Sequence, residues 1–193
     1  MGSEAKFLWE LKMTINETRD ESQNLPKQGP WGVWHEEDGE SWWQPEPANG
    51  HVTLKLTPDT FPSNQFSVGL QYIDPGCALR DHGHQCNDEI LFVWEGEGTA
   101  YVNGEEFKVK PGSMVYVGRF VKHGFVNEGP GQLKIMWVIT PPGLEGVIRG
   151  IGQPRESGDS RPDELVRPEN VREILNIAKF AQPDQLVDGG SGR

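Results

Sequence analysis

From residue 51 the chain alternates. Val52, Leu54 and Leu56 are separated by Thr53 and Lys55, and Phe66, Val68, Leu70 and Tyr72 by Ser67, Gly69 and Gln71. Successive side chains of a strand leave opposite faces, so a period of two predicts half-buried strands with one apolar face. Turn signals follow at short spacing: Pro75-Gly76, Glu95-Gly96, Asn103-Gly104, Pro111-Gly112 and Gly129-Pro130-Gly131. Between them lie the strand-like runs EILFVW, GTAYV, EFKVK, SMVYV and KIMWVIT, and Asn103-Gly104 has the chemistry of a two-residue hairpin. On the last run Ile135, Trp137 and Ile139 alternate with Lys134 and Met136. A lysine prefers water, so the three apolar residues are assigned inward. Many short strands with even turns predict an all-β fold, a compact barrel or jelly roll that closes its sheet and so removes exposed edges.

Both ends break this rhythm. Residues 1–48 contain acid, Pro, Gly and five of the seven tryptophans (Trp9, Trp31, Trp34, Trp42, Trp43) without a sustained period. They are read as an N-terminal arm that packs on the barrel or on a partner, with residues 1–12 native or added and Met13 a second candidate start. The barrel is assigned to 49–142, and 143–193 to a loop, one helix and a mobile tail from 182. In PENVREILNIAKFA the residues Val171, Ile174, Leu175 and Ala178 recur at helical spacing, and Asn170 or an earlier residue is placed to cap.

Charge and cysteine content narrow the setting. Eighteen Lys and Arg against 29 Asp and Glu leave a formal charge of −11, which repels phosphate backbones and anionic lipid, so neither nucleic acid nor a membrane is expected as a partner. No apolar run has the length of a membrane span, and the first residues lack the basic region and long apolar stretch of a signal peptide. Two cysteines, Cys77 and Cys86, make no disulfide framework. A cytoplasmic protein is the expectation.

The densest chemistry is RDHGHQCNDEIL, residues 80–91. If this stretch is extended, His82 and His84 leave the same face and form a chelating edge, with Glu89 at the head of the next strand. His123 follows 34 residues after Glu89, beyond the run SMVYV. Three imidazoles and a carboxylate suit a divalent first-row metal. Spacing alone leaves the stretch open between a metal cage and a polar turn. His35 and His51 lie outside the constellation. Cys86 is read as a small buried neighbour, Asp88 as a solvated turn acid on the opposite face, and Asn127 as a support for the backbone around His123.

Residues 76–96, GCALRDHGHQCNDEILFVWEG, resemble the first motif of the cupin superfamily: Gly76, His82-x-His84, Glu89 and Gly96 fall at its spacings. The second motif is matched by Gly112, His123 and Asn127, but Gly118 and Phe120 stand where it has Pro and Gly. The resemblance spans about residues 50–142. It implies a double-stranded β-helix, the cupin jelly-roll barrel, with a metal in its mouth held by His82, His84, Glu89 and His123. The stretch ITPPGLEGVIRGIG is also similar to the segment after the barrel in single-domain cupins of the quercetin 2,3-dioxygenase type. In such proteins Glu89 would be a ligand or the catalytic base.

The leading functional expectation is therefore a metal-dependent dioxygenase. Fe(II) is the first candidate and Mn, Ni, Cu or Zn the others, and O2 would cleave a C–C bond of an enol, phenol or flavonol. The alternative is an isomerase or lyase in which Glu89, Tyr72 or Tyr101 moves a proton; a non-catalytic small-molecule binder is third. A homodimer is expected, with the Trp-rich arm packing across its partner.

Overall fold

Antiparallel pairing joins the alternating runs into two sheets. The larger has the order β11 (Gln153–Arg155), β1 (Glu40–Trp43), β2 (His51–Leu56), β3 (Ser67–Ile73), β10 (Leu133–Thr140), β5 (Asp88–Glu95), β8 (Met114–Val117). The smaller has the order β4 (Ala78–His82), β9 (His123–Val126), β6 (Gly98–Val102), β7 (Glu105–Val109). These strands come from a computed structural model that describes residues 30–61, 64–182 and 185–186. The chain divides into two units, Met1–Val33 and Trp34–Arg193; of the first only residues 30–33 are described, and Trp31 and Val33 there are exposed. Most of the expected arm, the Met13 start and the end of the tail lie outside the described residues.

The expected all-β double-stranded β-helix is the fold observed. Asn103 and Gly104, both with positive φ, form the turn between β6 and β7, the left-handed pair that a two-residue hairpin requires. The core fills the space between the sheets with Val52, Leu54, Leu91, Val93, Phe125 and the inward residues of β10. Ile135, Trp137 and Ile139 are all buried, as their alternation with Lys134 predicted. Gly69 pairs with Trp137 across β3 and β10, and a Cβ on it would lie 2.2 Å from the Trp137 ring. The missing side chain is what leaves room for the indole.

Strand β2 departs from simple alternation, because five of its six residues are buried. The segment before β1 folds over the outer face of the larger sheet. Lys55 Nζ donates to the carbonyl oxygens of His35 (2.7 Å), Glu36 (2.5 Å) and Asp38, and Tyr72 Oη donates to Glu36 (3.3 Å). Burial and Glu36 push the Tyr72 hydroxyl well above its ordinary value. Lys55, assigned to water by its period, is instead covered by a stretch distant along the chain. Strands β1 and β11 lie outside residues 49–142, one in the stretch read as arm and the other in that read as loop.

Among the described residues two helices follow the barrel where one was expected: α1 (Leu144–Ile151) and α2 (Val171–Ile177). Leu144, Val147, Ile148 and Ile151 have the i, i+3, i+4, i+7 spacing of a helix face. Gly146 and Gly150 dilute its propensity, and the first turn gains Glu145 Oε2 accepting from the Gly143 N–H (3.0 Å). Helix α2 is as predicted, with Asn170 at the N-cap position, although its side chain makes no capping hydrogen bond. The helices pack through Val147, Ile151, Val171, Ile174 and Leu175.

Candidate metal centre

Three strand ends converge on one point. The bulge in β4 brings His82 into register opposite His123 of β9, and β5 carries Glu89, flanked by Ile139 of β10 and Val117 of β8. His84 lies just past β4, where it forms a bridge with Phe180. The segment need not be a continuous strand: the His82 and His84 rings still stand 5.2 Å apart. One donor atom from each of His82, His84, Glu89 and His123 lies within 4.8 Å of all the others. Cys86 and Asp88 are half-buried and outside this group, and His35 and His51 are elsewhere.

The hydrogen bonds orient the imidazoles. His82 Nδ1 donates to the Arg80 carbonyl (2.8 Å) and His123 Nδ1 to the Val121 carbonyl (3.0 Å). With Nδ1 so committed, the Nε2 lone pair of each neutral ring is free to face the centre. Glu89 Oε2 lies 3.1 Å from His123 Nε2 and 3.2 Å from His84 Nε2. A carboxylate oxygen and an imidazole lone pair this close require a cation between them, either a proton or a metal ion. The donor set thus fits a divalent transition metal by its chemistry and its orientation.

The electrostatics agree. Burial disfavours the Glu89 anion, but the contacts with His123 and His84 outweigh it and hold the carboxyl down to about 2. Burial, then the charges of His123 and His84, push His82 well below the ordinary imidazole value, so this ring stays neutral. A neutral His82 beside the ionised Glu89 carboxylate is poised for a cation.

The turn that aims His123 is shaped by an unusual residue. Phe120, at the glycine position of the second motif, adopts φ 62°, so the left-handed turn survives the substitution. Its N–H donates to the His84 carbonyl (2.8 Å), tying the turn before one histidine to the backbone of another. Asn127 has a different role from the expected one. Its Nδ2 donates to Ile73 O and Gly131 O (both 2.8 Å) and its Oδ1 accepts from Gly129 N (3.0 Å). Beyond the end of β9, it staples the following turn to β3 and leaves the backbone of His123 alone.

The centre opens into a cavity of about 290 Å³ with a largely apolar wall that includes Leu91, Ile135, Trp137, Val147, Ile148 and Phe180. Neither Tyr72 nor Tyr101 lines it. Tyr72 lies in the other alternation phase from Gln71 and faces the covering segment, which removes it as a proton carrier at this site. Phe180 was not foreseen. Lys179 at φ 55° ends α2, and the Phe180 N–H donates back to Leu175 O (2.9 Å), a Schellman-type reversal with lysine in the usual glycine position. The chain then pairs with the ligand loop through Gln85 N to Lys179 O (2.9 Å) and Ala181 N to Gly83 O (2.8 Å). This lays the Phe180 ring against His82 (5.5 Å) and His84 (4.7 Å). The apolar Phe after the last helical turn was the available sequence signal.

A double-stranded β-helix with three imidazoles and a carboxylate in its mouth defines a chelating barrel. Residues 69–139 match the family model of the cupin domain, the family that the motifs implied. Tetracenomycin polyketide synthase protein TcmJ of Streptomyces glaucescens is 27% identical over 92 residues, 48% of this chain and 62% of that protein. Quercetin 2,3-dioxygenase of Bacillus subtilis is 27% identical over 92 residues, again 48% of this chain but 27% of that protein. The match thus spans less than two thirds of either relative. The structure of KdgF from Halomonas aligns with a TM-score of 0.49 at 22% identity, covering 60% of this chain and 96% of the other. Among the described residues no helix is long and apolar enough to cross a membrane.

Proposed function

We propose that the chain is a metal-dependent dioxygenase that cleaves a C–C bond of an enol, phenol or flavonol-type molecule with O2. The supporting observation is the contact of Glu89 Oε2 with two imidazole Nε2 atoms at the inner end of an apolar cavity. His82, His84, Glu89 and His123 would hold one divalent first-row metal, with Fe(II) the first candidate and Mn, Ni, Cu or Zn the others. Such an ion supplies Lewis-acid and redox chemistry when bound.

The protein's own contributions follow from the site. The apolar wall excludes water and accepts a flat ring against Trp137 and Phe180. Glu89, held near 2 by its imidazole contacts, is a weak base in place. If it parts from them, burial raises its proton affinity and lets it take the substrate hydroxyl proton. The similarity to quercetin 2,3-dioxygenase agrees with this reading. An isomerase or lyase is the second reading, favoured by the buried position of Glu89 as a proton carrier. The homodimer is retained as part of the proposal, since Ile90, Met114 and Tyr116 form an exposed patch on the outer face of β5 and β8.

Elemental analysis of the purified chain, followed by an oxygen electrode with flavonols, β-diketones and catechols, tests the proposal. One metal ion per chain is expected, with affinity reduced at least about tenfold in His84→Ala, and O2 consumption with one substrate class. Absent metal, together with unchanged metal affinity in His84→Ala, overturns the centre. Bound metal with no O2 consumption transfers the assignment to the isomerase or lyase.

A further inference from the structure

Two arginines border the cavity, and among the described residues neither forms an ion pair with the carboxylates that line it. Arg80 stands on β4, two residues before His82, and Arg167 in the loop before α2; both line the cavity that reaches His82 and Glu89. Elsewhere, Arg149 pairs with Glu40 and Asp59, Arg155 with Glu37, and Arg161 with Asp74. Among the described residues, Arg80 and Arg167 make no such pair. Glu46 and Asp81 also border the cavity but are exposed and bridge to neither. Arg167 is half-buried, and burial, then the like charge of Arg80, lower its proton affinity from the ordinary value. Arg80 is exposed, and in a chain of net charge −11 two like-charged guanidinium groups on one apolar cavity are a repulsion that an entering anion would relieve.

We propose that Arg80 and Arg167 form an anion subsite for the carboxylate of a small aromatic or enolic acid, whose apolar body lies along the cavity wall. This deepens the dioxygenase reading and rests on it only for what happens at the other end of the substrate. The guanidinium fork matches a carboxylate through two parallel hydrogen bonds. The cavity is small enough that an acid held there is carried to the imidazoles and Glu89.

Calorimetric titration of the full chain, freed of metal by dialysis against chelator, compares salicylate with salicylamide, which share ring and hydroxyl but differ in charge. Salicylate is expected to bind about tenfold or more tightly, the usual worth of a charged hydrogen-bonded contact. Arg167→Gln and Arg80→Gln should each remove most of that preference. Arg167→Lys, which keeps the charge without the fork, should fall between them and the natural chain, and serves if Arg167→Gln does not fold. Equal binding of the two probes, no salicylate binding, or a preference that survives in the double glutamine variant overturns the subsite. The dioxygenase reading fails separately: a chain that takes up no metal yet shows an arginine-dependent salicylate preference keeps the subsite and loses the oxygen chemistry.

Discussion

His51 lies on β2 with 6% of its surface exposed. Its ring stacks on Tyr72 at 3.9 Å and meets the edge of Trp43 at 5.6 Å. Among the described residues neither ring nitrogen has a hydrogen-bond partner. Burial first, and then the charge of Arg155, hold this imidazole down to about 4 against an ordinary 6.5. Above pH 6.5 His51 is neutral whether the chain is folded or not, and it contributes nothing to pH dependence. Between 6.5 and 4 the unfolded chain takes up a proton that the folded chain refuses, so stability falls with pH. Below 4 both states are charged and the loss levels off. At about 1.4 kcal/mol for each pH unit, the gap from 6.5 to 4 corresponds to about 3 kcal/mol. Urea unfolding of the metal-free chain between pH 8 and pH 4, compared with His51→Phe, isolates this contribution. Phenylalanine keeps the stack and has no proton to gain, and the titrating metal ligands are common to both chains. The variant should gain about 3 kcal/mol on the natural chain between pH 7 and pH 4. Curves that stay parallel to within about 0.5 kcal/mol, the size of an ordinary surface effect, refute the assignment of a buried neutral His51.

Two further outcomes test how the centre is built. Phe180→Ala opens the wall beside His82 and His84 and should cost about 3 kcal/mol in chemical unfolding; it should also weaken metal binding about tenfold in competition with a chelator, and unchanged metal affinity would reduce Phe180 to packing alone. Phe120→Gly should raise stability by about 1 kcal/mol in thermal or urea unfolding, because a left-handed non-glycine backbone costs about 1–2 kcal/mol and the Phe120 side chain is 40% exposed. A loss would mean that the ring's contacts outweigh the backbone strain.

Much of the centre was legible along the chain because chelation and strand geometry are local. His82 and His84 are two apart, Glu89 heads the next strand, and the motif glycines Gly76, Gly96 and Gly112 all take positive φ at turns. His123 was found through its distance after the run SMVYV and the cupin spacing. Asn127 was misjudged because its partners, Ile73 and Gly131, are set by how the turn after β9 meets β3. Helix α1 was passed over because its four apolar positions are interrupted by two glycines, and its stability comes from the surfaces it covers more than from propensity.

By itself the sequence determined the barrel and the inward phase of β10, which follow from a period of two, and it singled out the four candidate ligands, His82, His84 and Glu89 within one short stretch and His123 through the cupin spacing. Only the tertiary structure decided that His51 and Lys55 are buried, that Phe180 lies on the ligand histidines, and that Arg80 and Arg167 border one cavity. Those neighbours are separated by long runs of chain. Their meeting depends on how the segment before β1 covers the larger sheet and how α1 and α2 fold back over the barrel mouth, and no local periodicity records that path.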